Sequence, residues 1–234
     1  MRRFFGKKNG EFVIIENDEL VHLAKVLRKK EGDQIICCAN DEFDYYCQIV
    51  SVDKKQCKAK IEKAVKCPAL PNKQITLFQA LPKKEYLDEI VFKAVELGVT
   101  CLQLFVSEFS NTGKINAERI NAQILSASKQ CERSKLMENK PLIEFDKVPG
   151  QFTNFDLVIF ANEKEEKKTI FDIKNIEKAD KIAIVVGNEG GFSENEIERL
   201  LNEKVFSITL GKRILRCPTA VTTILALTNA LTKN

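Results

Sequence analysis

The sequence predicts an α/β protein of two domains, a small β-rich N-terminal domain followed by a larger domain built on a parallel sheet. Three observations lead to this prediction. Short strand-like segments dominate the first 66 residues, strands and helices alternate from residue 74 onward, and residues 67–72 separate the two patterns with two prolines. Two prolines this close disfavour both a helix and a central strand. We therefore place the domains at residues 1–70 and 71–234.

The N-terminal domain is predicted to be a small barrel with one helix. Polar turns separate its strand-like segments, which are residues 11–15, 34–39, 43–50 and 56–63. A helix follows the first of them, and either Asn17 or Asp18 can cap its start. Its apolar residues fall at helical spacing on one face and are Leu20, Leu23, Ala24 and Leu27.

The C-terminal domain alternates between apolar strands and amphipathic helices. The strands are predicted at residues 74–81, 101–106, 156–161, 181–186 and 205–210, and the helices at 84–97, 117–136 and 218–231. In the first helix Gly98 suits the position just after the end, and the buried face is predicted to hold Leu87, Ile90, Val91, Ala94 and Val95. Such alternation indicates a parallel sheet covered on both faces, which binds ligands at the carboxyl ends of its strands.

Composition limits the classes of function. The chain has 234 residues, of which 44% are hydrophobic and 30% charged, so we do not expect a disordered or fibrous protein. No apolar run reaches the roughly 18 residues that span a bilayer, and no apolar segment of an export signal follows the N-terminus. We therefore expect a cytoplasmic protein. Its eight cysteines include no C-x-x-C pair and His22 is the one histidine, so we expect reduced, buried thiols and no metal.

The positive charge is concentrated in the N-terminal domain. The net charge is +4, and residues 1–70 contribute +3 of it, with 14 Lys and Arg against 11 Asp and Glu. The polar side of the predicted helix carries His22, Lys25, Arg28 and Lys29. If a polyanion binds, this domain is expected to meet it first, although an ordinary solvated surface would look the same.

A glycine-rich loop follows the predicted strand at residues 181–186. It reads Gly187-Asn188-Glu189-Gly190-Gly191, and Ser193 with Glu196 then forms the capping box that opens a helix. Glycine at a strand-to-helix turn allows the backbone to approach a ligand closely. The spacing does not match the dinucleotide or P-loop patterns, which argues against a nucleotide site of either kind.

A second loop, residues 210–219, also links a strand to a helix. It begins with Leu210 and Gly211, and Arg213 and Arg216 enclose the apolar pair Ile214 and Leu215. Pro218 suits the first turn of the helix that follows. One loop offers a carboxylate and the other guanidinium groups at neighbouring strand ends, so we expect the two loops to form one site.

The two loops together resemble the ribosomal RNA small subunit methyltransferase E family of the SPOUT superfamily. The resemblance lies in VVGNEGGFSENEIE followed by LGKRILRCPTAVTTILAL, and it extends to the segments at residues 22–28, 93–99 and 107–110 and to Gln130 and Arg133. The chain departs from the family pattern at Asn188 (usually proline), Pro218 (usually glutamate), Lys129 (commonly glutamate) and Phe109 (frequently arginine). The change at Pro218 removes a carboxylate beside the predicted site.

The resemblance implies an N-terminal PUA-like β-barrel and a C-terminal SPOUT α/β domain with a deep trefoil knot. It further implies a homodimer that moves a methyl group from S-adenosylmethionine to N3 of a uridine in small-subunit (16S) ribosomal RNA, with the assembled subunit as the expected substrate. The cofactor is expected at Ala161, Asn162, Glu163, Gly187, Asn188, Gly190, Gly191, Leu210, Gly211, Ile214 and Leu215, with the three apolar side chains of the second loop around the adenine.

The resemblance also suggests residue roles. Arg216 is expected to stabilise the charge that develops on uracil, and Glu189 to act as the base or as a ligand of the cofactor. The expected RNA-binding residues are Arg2, Arg3, His22, Lys25, Arg28, Lys29 and Arg133, with Lys7 and Lys8 on the same basic face. Two alternatives stay open, a SPOUT methyltransferase that acts on tRNA and a non-catalytic RNA-binding or ribosome-assembly protein.

Overall fold

The computed structural model of the protein describes residues 2–111 and 115–234. The chain forms two compact units. The first extends to Leu70 and also includes Ser128–Leu136, and the second comprises Pro71–Ala127 and Met137–Asn234. The contribution of Ser128–Leu136 to the first unit was not indicated by the sequence pattern.

A curled six-stranded sheet forms the first unit. Its strands are β1 (Arg3–Phe5), β2 (Lys7–Asn9), β3 (Phe12–Glu16), β4 (Gln34–Cys38), β5 (Phe43–Val52) and β6 (Gln56–Lys66), in the order β1-β4-β5-β6-β3-β2. Only Gly6 separates the two edge strands, so the sheet curls back on itself. A side chain at Gly6 would place its Cβ 2.5 Å from the Ile14 carbonyl oxygen. The predicted barrel therefore corresponds to this curled sheet, while β1 and β2 were missed because three residues are too few to show alternation.

The predicted helix of the first unit is α1 (Asn17–Val21), which continues as one π-helical turn, His22–Val26. The predicted cap is wrong. Glu16 occupies the capping position and its side chain makes no capping hydrogen bond. The predicted apolar face is confirmed, because Leu20, Leu23, Ala24 and Leu27 all pack against the core inside the curled sheet.

The second unit contains a parallel six-stranded sheet, as predicted. Its strands are β7 (Gln74–Ala80), β8 (Val99–Val106), β9 (Glu138–Glu144), β10 (Leu157–Ala161), β11 (Lys181–Val186) and β12 (Phe206–Ile208), in the order β12-β10-β11-β7-β8-β9. Every neighbouring pair is parallel. Strand β9 was not predicted, since it contains Pro141 and is mostly not buried. An edge strand tolerates both features.

Four α-helices accompany this sheet: α2 (Lys84–Glu96), α3 (Ala117–Gln130), α4 (Glu194–Leu201) and α5 (Cys217–Thr232). Helices α2 and α5 contact each other on one side, while α4 packs into an aromatic cluster on the other. The predicted buried residues of α2 are all buried, and Gly98 after it has φ +81°. Helix α3 ends six residues before the predicted end, because the chain turns at Glu132 (φ +64°) and Arg133 N donates to Ser128 O.

Seven of the eight cysteines are buried reduced thiols, and Cys131 is half-buried. Within the described residues, no cluster of three or more potential metal ligands occurs. In the same part of the chain, no helix combines the length and the apolar character that crossing a membrane would need.

Candidate active site

The glycine loop, residues 187–191, connects β11 to α4 at the carboxyl edge of the parallel sheet. The predicted capping box is confirmed: Ser193 Oγ accepts from Glu196 N (3.3 Å), and Glu196 Oε2 accepts from Ser193 N (3.0 Å). Gly191 has φ +68°, and a Cβ there would collide with Glu163 Oε1. This position therefore requires glycine for its backbone conformation, whereas the exposed Glu163 carboxylate could move aside for a Cβ.

Two side chains tie the glycine loop to the ends of β7 and β8. Asn188 is buried; its Nδ2 donates to Phe109 O, and its Oδ1 accepts from Gly190 N (2.9 Å). Glu189 is exposed, and its Oε1 accepts from Lys83 N at the start of α2 (2.9 Å). A Cβ at Gly190 would lie 2.8 Å from Phe109 Cβ, so this glycine also faces the segment after β8. The glycine loop is thus held by contacts with the segments that follow β7 and β8.

The two predicted loops meet at Gln79 and Cys217. Gln79 is fully buried in β7, and its Nε2 donates to Gly187 O (3.0 Å) and Cys217 Sγ (3.3 Å). Cys217 Sγ donates to the same carbonyl (3.1 Å). Burial raises the pKa of the Cys217 thiol to about 12, so it stays protonated and able to donate. Both acceptor positions of Gly187 O are therefore occupied within the protein.

The second loop begins with a polar turn and ends at the first residue of α5. Thr209 Oγ1 accepts from Gly211 N (3.2 Å), and Gly211 has φ +114°. Arg216 is the capping residue of α5, and its carbonyl accepts from Ala220 N (2.9 Å). Pro218 is buried in the first turn of that helix, where the absence of an N–H leaves no hydrogen bond unmade.

These loops and the end of β10 enclose one cavity of about 140 Å³. Every predicted cofactor residue except Gly190 lines it: Ala161, Asn162, Glu163, Gly187, Asn188, Gly191, Leu210, Gly211, Ile214 and Leu215. The structure thus brings the predicted site together in space. Glu189 and Arg216, the two predicted catalytic residues, lie next to lining residues and are not themselves part of the wall.

The sequence analysis missed several residues of the cavity wall, namely Val186, Phe192, Ile197, Thr209, Lys212, Cys217 and Ala220. Phe192 directly follows the glycine loop and packs edge-on against Phe160, with ring centroids 5.3 Å apart. Because Phe192 lies between the glycine loop and the capping box, the sequence could have indicated that it lines the site. No such indication existed for Ile197 and Ala220, since they occupy ordinary apolar positions of α4 and α5.

Polar and apolar groups divide the wall. Asn162 is buried, with Nδ2 donating to Ser207 Oγ (3.1 Å) and Oδ1 accepting from Lys164 N (3.0 Å). Glu163 is exposed beside Gly191. The contact of Ile214 with the adenine ring stays a prediction: the residue lines the cavity and is 94% exposed.

The predicted RNA-binding residues, which lie in the first unit, fall into two groups. Arg2, Lys25 and Arg28 are exposed, and Lys7 and Lys8 are exposed as well. His22 is half-buried with its ring 6.1 Å from that of Phe4, and the half-buried Lys29 has its Nζ 3.9 Å from Asp33 Oδ2.

The second group is buried and does not belong to a basic surface. Arg3 forms an ion pair with the buried Asp44 and lies 3.7 Å from Glu132. Burial alone would lower the pKa of the Arg3 guanidinium, but the hydrogen bond and charge of Asp44 raise it. Arg133 is 3% exposed, and burial lowers the pKa of its guanidinium. The premise that Arg3 and Arg133 are surface cations is therefore wrong.

Comparison with known proteins matches both units. The family model of the RNA methyltransferase domain matches residues 69–229, and that of the RNA methyltransferase PUA domain matches residues 15–62. The chain is 32% identical to ribosomal RNA small subunit methyltransferase E of Bacillus subtilis over 88% of this chain and 85% of that protein. It is 31% identical to the protein of the same name from Aquifex aeolicus, covering 94% and 95%.

Two solved structures are similar over nearly the whole chain. One is ribosomal RNA small subunit methyltransferase E from Neisseria gonorrhoeae bound to S-adenosyl methionine (25% identity, TM-score 0.87, covering 99% of this chain and 98% of that one). The other is a putative methyltransferase from Legionella pneumophila in complex with the same cofactor (26%, TM-score 0.86, covering 98% and 97%). With its cavity, loops and matched domains, the chain belongs to the ribosomal RNA small subunit methyltransferase E family.

Proposed function

We propose that this protein is an S-adenosylmethionine-dependent methyltransferase that modifies N3 of a uridine in small-subunit ribosomal RNA. One observation carries the proposal. The two loops that follow β11 and β12, joined through Gln79 and Cys217, enclose a single cavity at the carboxyl edge of the parallel sheet, where β10 lies between the two strands. In this family, similar proteins are seen with S-adenosylmethionine bound.

The wall of the cavity suits this cofactor. Phe192, Leu210 and Leu215 supply apolar surface for an adenine ring, while Glu163 and Thr209 supply oxygen atoms for hydroxyl or ammonium groups. Glycines 187 and 191 let the backbone approach closely. When bound, S-adenosylmethionine supplies a methyl group on a positively charged sulfur, which needs no metal for transfer.

Arg216 is proposed to stabilise the substrate anion. Uracil N3 carries a proton at neutral pH and must lose it to become a good nucleophile, after which negative charge spreads to O2 and O4. Arg216 is exposed at the start of α5, directly before Cys217 of the cavity wall. A guanidinium there can donate to a carbonyl oxygen of the base as its charge develops.

Glu189 is proposed to position the glycine loop rather than to accept the N3 proton. One of its carboxylate oxygens already accepts the Lys83 amide hydrogen. Glu163 lines the cavity and packs on Gly191, so it is proposed to bind a ribose hydroxyl or the ammonium group of the cofactor.

The first unit is proposed to dock ribosomal RNA through the exposed basic face of Arg2, Lys25 and Arg28, with His22 and Lys29 beside them. The protein is further proposed to act as a homodimer on the assembled small subunit in the cytoplasm, and to contain the family's deep trefoil knot.

The decisive experiment incubates the protein with labelled S-adenosylmethionine and small ribosomal subunits that lack the modification. We expect label in one N3-methyluridine, located by nuclease digestion and mass spectrometry. Label in tRNA alone would favour a tRNA methyltransferase. Absence of both methyl transfer and cofactor binding would favour the RNA-binding or assembly role.

The role of Arg216 is tested with Arg216→Ala and Arg216→Lys. Loss of a donor to a developing anion typically lowers kcat by about 10²- to 10³-fold, and we expect this for Arg216→Ala with little change in cofactor affinity. The lysine variant should retain part of the activity because it keeps the charge. Near-normal turnover of Arg216→Ala would contradict the assignment.

A further inference from the structure

The outer wall of the cavity is an exposed segment, residues 212–216, which we call the lip. Lys212, Arg213 and Ile214 line the cavity and are also exposed. A side chain with both properties stands at the mouth, so a substrate that approaches the cavity from outside meets the lip first.

The lip is strongly cationic. Its five residues include Lys212, Arg213 and Arg216 and no acidic residue. Across residues 2–111 and 115–234, none of these three cations forms an ion pair. Three uncompensated positive charges at the mouth complement the phosphates of a nucleic acid.

The lip also exposes an apolar side chain between its cations. Ile214 is 94% exposed, the largest exposure among the large hydrophobic residues of the described chain. The backbone on either side is fixed, by Thr209 to Gly211 at one end and by Arg216 O to Ala220 N at the other. An unstacked RNA base presents an apolar face that could cover Ile214, whereas the phosphates could not.

We propose that the lip is a second RNA-binding surface, located on the catalytic unit. Lys212 and Arg213 bind backbone phosphates next to the target nucleotide, and Ile214 packs against an unstacked base at the mouth of the cavity. The inference deepens the proposed function and rests on it, because it takes RNA as the substrate. It also gives Ile214 a different role from the adenine contact that the sequence suggested.

The test compares binding of fluorescein-labelled small-subunit ribosomal RNA to the full chain over a range of salt concentrations. Lys212→Ala/Arg213→Ala should weaken binding about tenfold or more near 0.1 M salt and reduce the salt slope by about 1 to 2. Ile214→Ala should weaken binding about tenfold and leave the slope unchanged, because an apolar contact releases no counterions. RNA binding is measured without cofactor, and calorimetry measures S-adenosylmethionine affinity separately, so that a loss of RNA binding is distinguished from a loss of cofactor binding.

The matched control is Lys174→Ala/Lys178→Ala, which removes two exposed cations of the same unit away from the cavity and should leave the affinity unchanged. The proposal is overturned if the lip variants bind RNA like wild type, or if Ile214→Ala impairs cofactor binding and not RNA binding. It is also overturned if the variants dissociate a dimer in sedimentation, since a second copy would then cover the lip. Failure of the proposed function would show separately, as absence of RNA binding and methylation by the wild-type protein.

Discussion

Arg2 and Arg3 show how far neighbouring residues of the same type can differ in role. Arg2 is exposed, whereas the Arg3 side chain is 7% exposed and forms an ion pair with Asp44, whose side chain is 3% exposed. Sequence patterns treat both as basic residues of one surface. Strand alternation does not distinguish them either, because Arg2 precedes β1 and both Arg3 and Phe4 within that strand are buried.

This difference predicts opposite effects of alanine substitution. Arg3→Ala leaves the buried Asp44 carboxylate without its partner, which should lower the free energy of unfolding by about 3 to 5 kcal/mol. Arg2→Ala should change it by less than about 0.5 kcal/mol and should instead weaken RNA binding. Urea unfolding and RNA titration of both variants measure the two effects.

A double variant separates the loss of charge pairing from loss of packing. Arg3→Met/Asp44→Leu removes both charges and keeps apolar volume, so it should recover most of the stability lost in Arg3→Ala. Equal destabilisation by Arg2→Ala and Arg3→Ala, or no recovery in the double variant, would contradict the assigned burial.

Gly191 and Gly150 form a second pair of matched positions. Gly191 has φ +68° and its missing Cβ faces Glu163, while nothing lies within 4 Å of a Cβ at Gly150. Gly191→Ala should therefore destabilise the protein by about 1 to 3 kcal/mol and weaken S-adenosylmethionine binding. Gly150→Ala should change neither property appreciably. Thermal unfolding and calorimetry of the two variants would show whether they differ, and equal behaviour would argue against the strained turn.

The glycine loop, as an element, is held by Asn188 where the family pattern usually has proline. Proline restricts φ covalently, whereas Asn188 restrains the loop through Phe109 O and Gly190 N. The hydrogen bond of Asn188 goes to the backbone carbonyl of Phe109, so it does not depend on the phenylalanine side chain. A sequence comparison could not indicate this contact, because it contains no information about which loops touch.

Asn188→Ala should loosen this loop without unfolding the protein. Losing two hydrogen bonds of a buried amide should cost about 1 to 3 kcal/mol, with faster hydrogen exchange at the Gly190 amide and weaker cofactor binding. The matched control is Asn154→Ala, since Asn154 is exposed and donates to Gln151 O (3.0 Å) far from the cavity. Unchanged exchange at Gly190 would show that the side chain does not restrain the loop.

Long elements with a clear period were predicted well, and short or irregular ones were not. The buried face of α2 follows from apolar spacing alone, and Lys181–Val186 was predicted to the residue. Strands β1 and β2 are too short for a period, and the π-helical turn at His22–Val26 depends on packing rather than on residue type. Helix α3 was predicted to be six residues too long for a similar reason. Residues 131–136 have a composition compatible with a helix, but they belong to the first unit.

Across the whole molecule, the wall of the cavity was predictable because parallel strands place their following loops at one edge. The two motif loops bring seven of the predicted cofactor residues to one cavity, and the end of β10 brings three more. The residue that joins the loops, Gln79, was not predictable. Gln79 can bond to the glycine loop because β7 lies next to β11 in the sheet. No local sequence motif indicates that strand order.

Buried thiols in both units give the protein a common sensitivity to alkali. Burial raises the pKa of Cys38 and Cys217 to about 12 and that of Cys57 and Cys101 to about 11. An unfolded chain releases these protons near the ordinary thiol pKa of about 8.5. The folded pKa is the higher one, so this contribution to stability is complete below pH of about 8.5 and is lost as the pH rises toward 11 and 12.

We therefore expect the free energy of unfolding to fall above pH of about 8.5, by up to about 1.4 kcal/mol per pH unit for each such thiol. Urea unfolding in reducing buffer, followed by circular dichroism between about pH 8 and about pH 10, measures this slope, because that range begins near the ordinary thiol pKa. Cys101→Ala and Cys101→Ser both remove one buried thiol. The two variants should differ in absolute stability, because serine keeps a polar group at this buried position and alanine does not, yet both should flatten the slope by the same amount. A slope as steep as that of the wild type in both variants would mean that Cys101 ionises equally in the folded and unfolded chains.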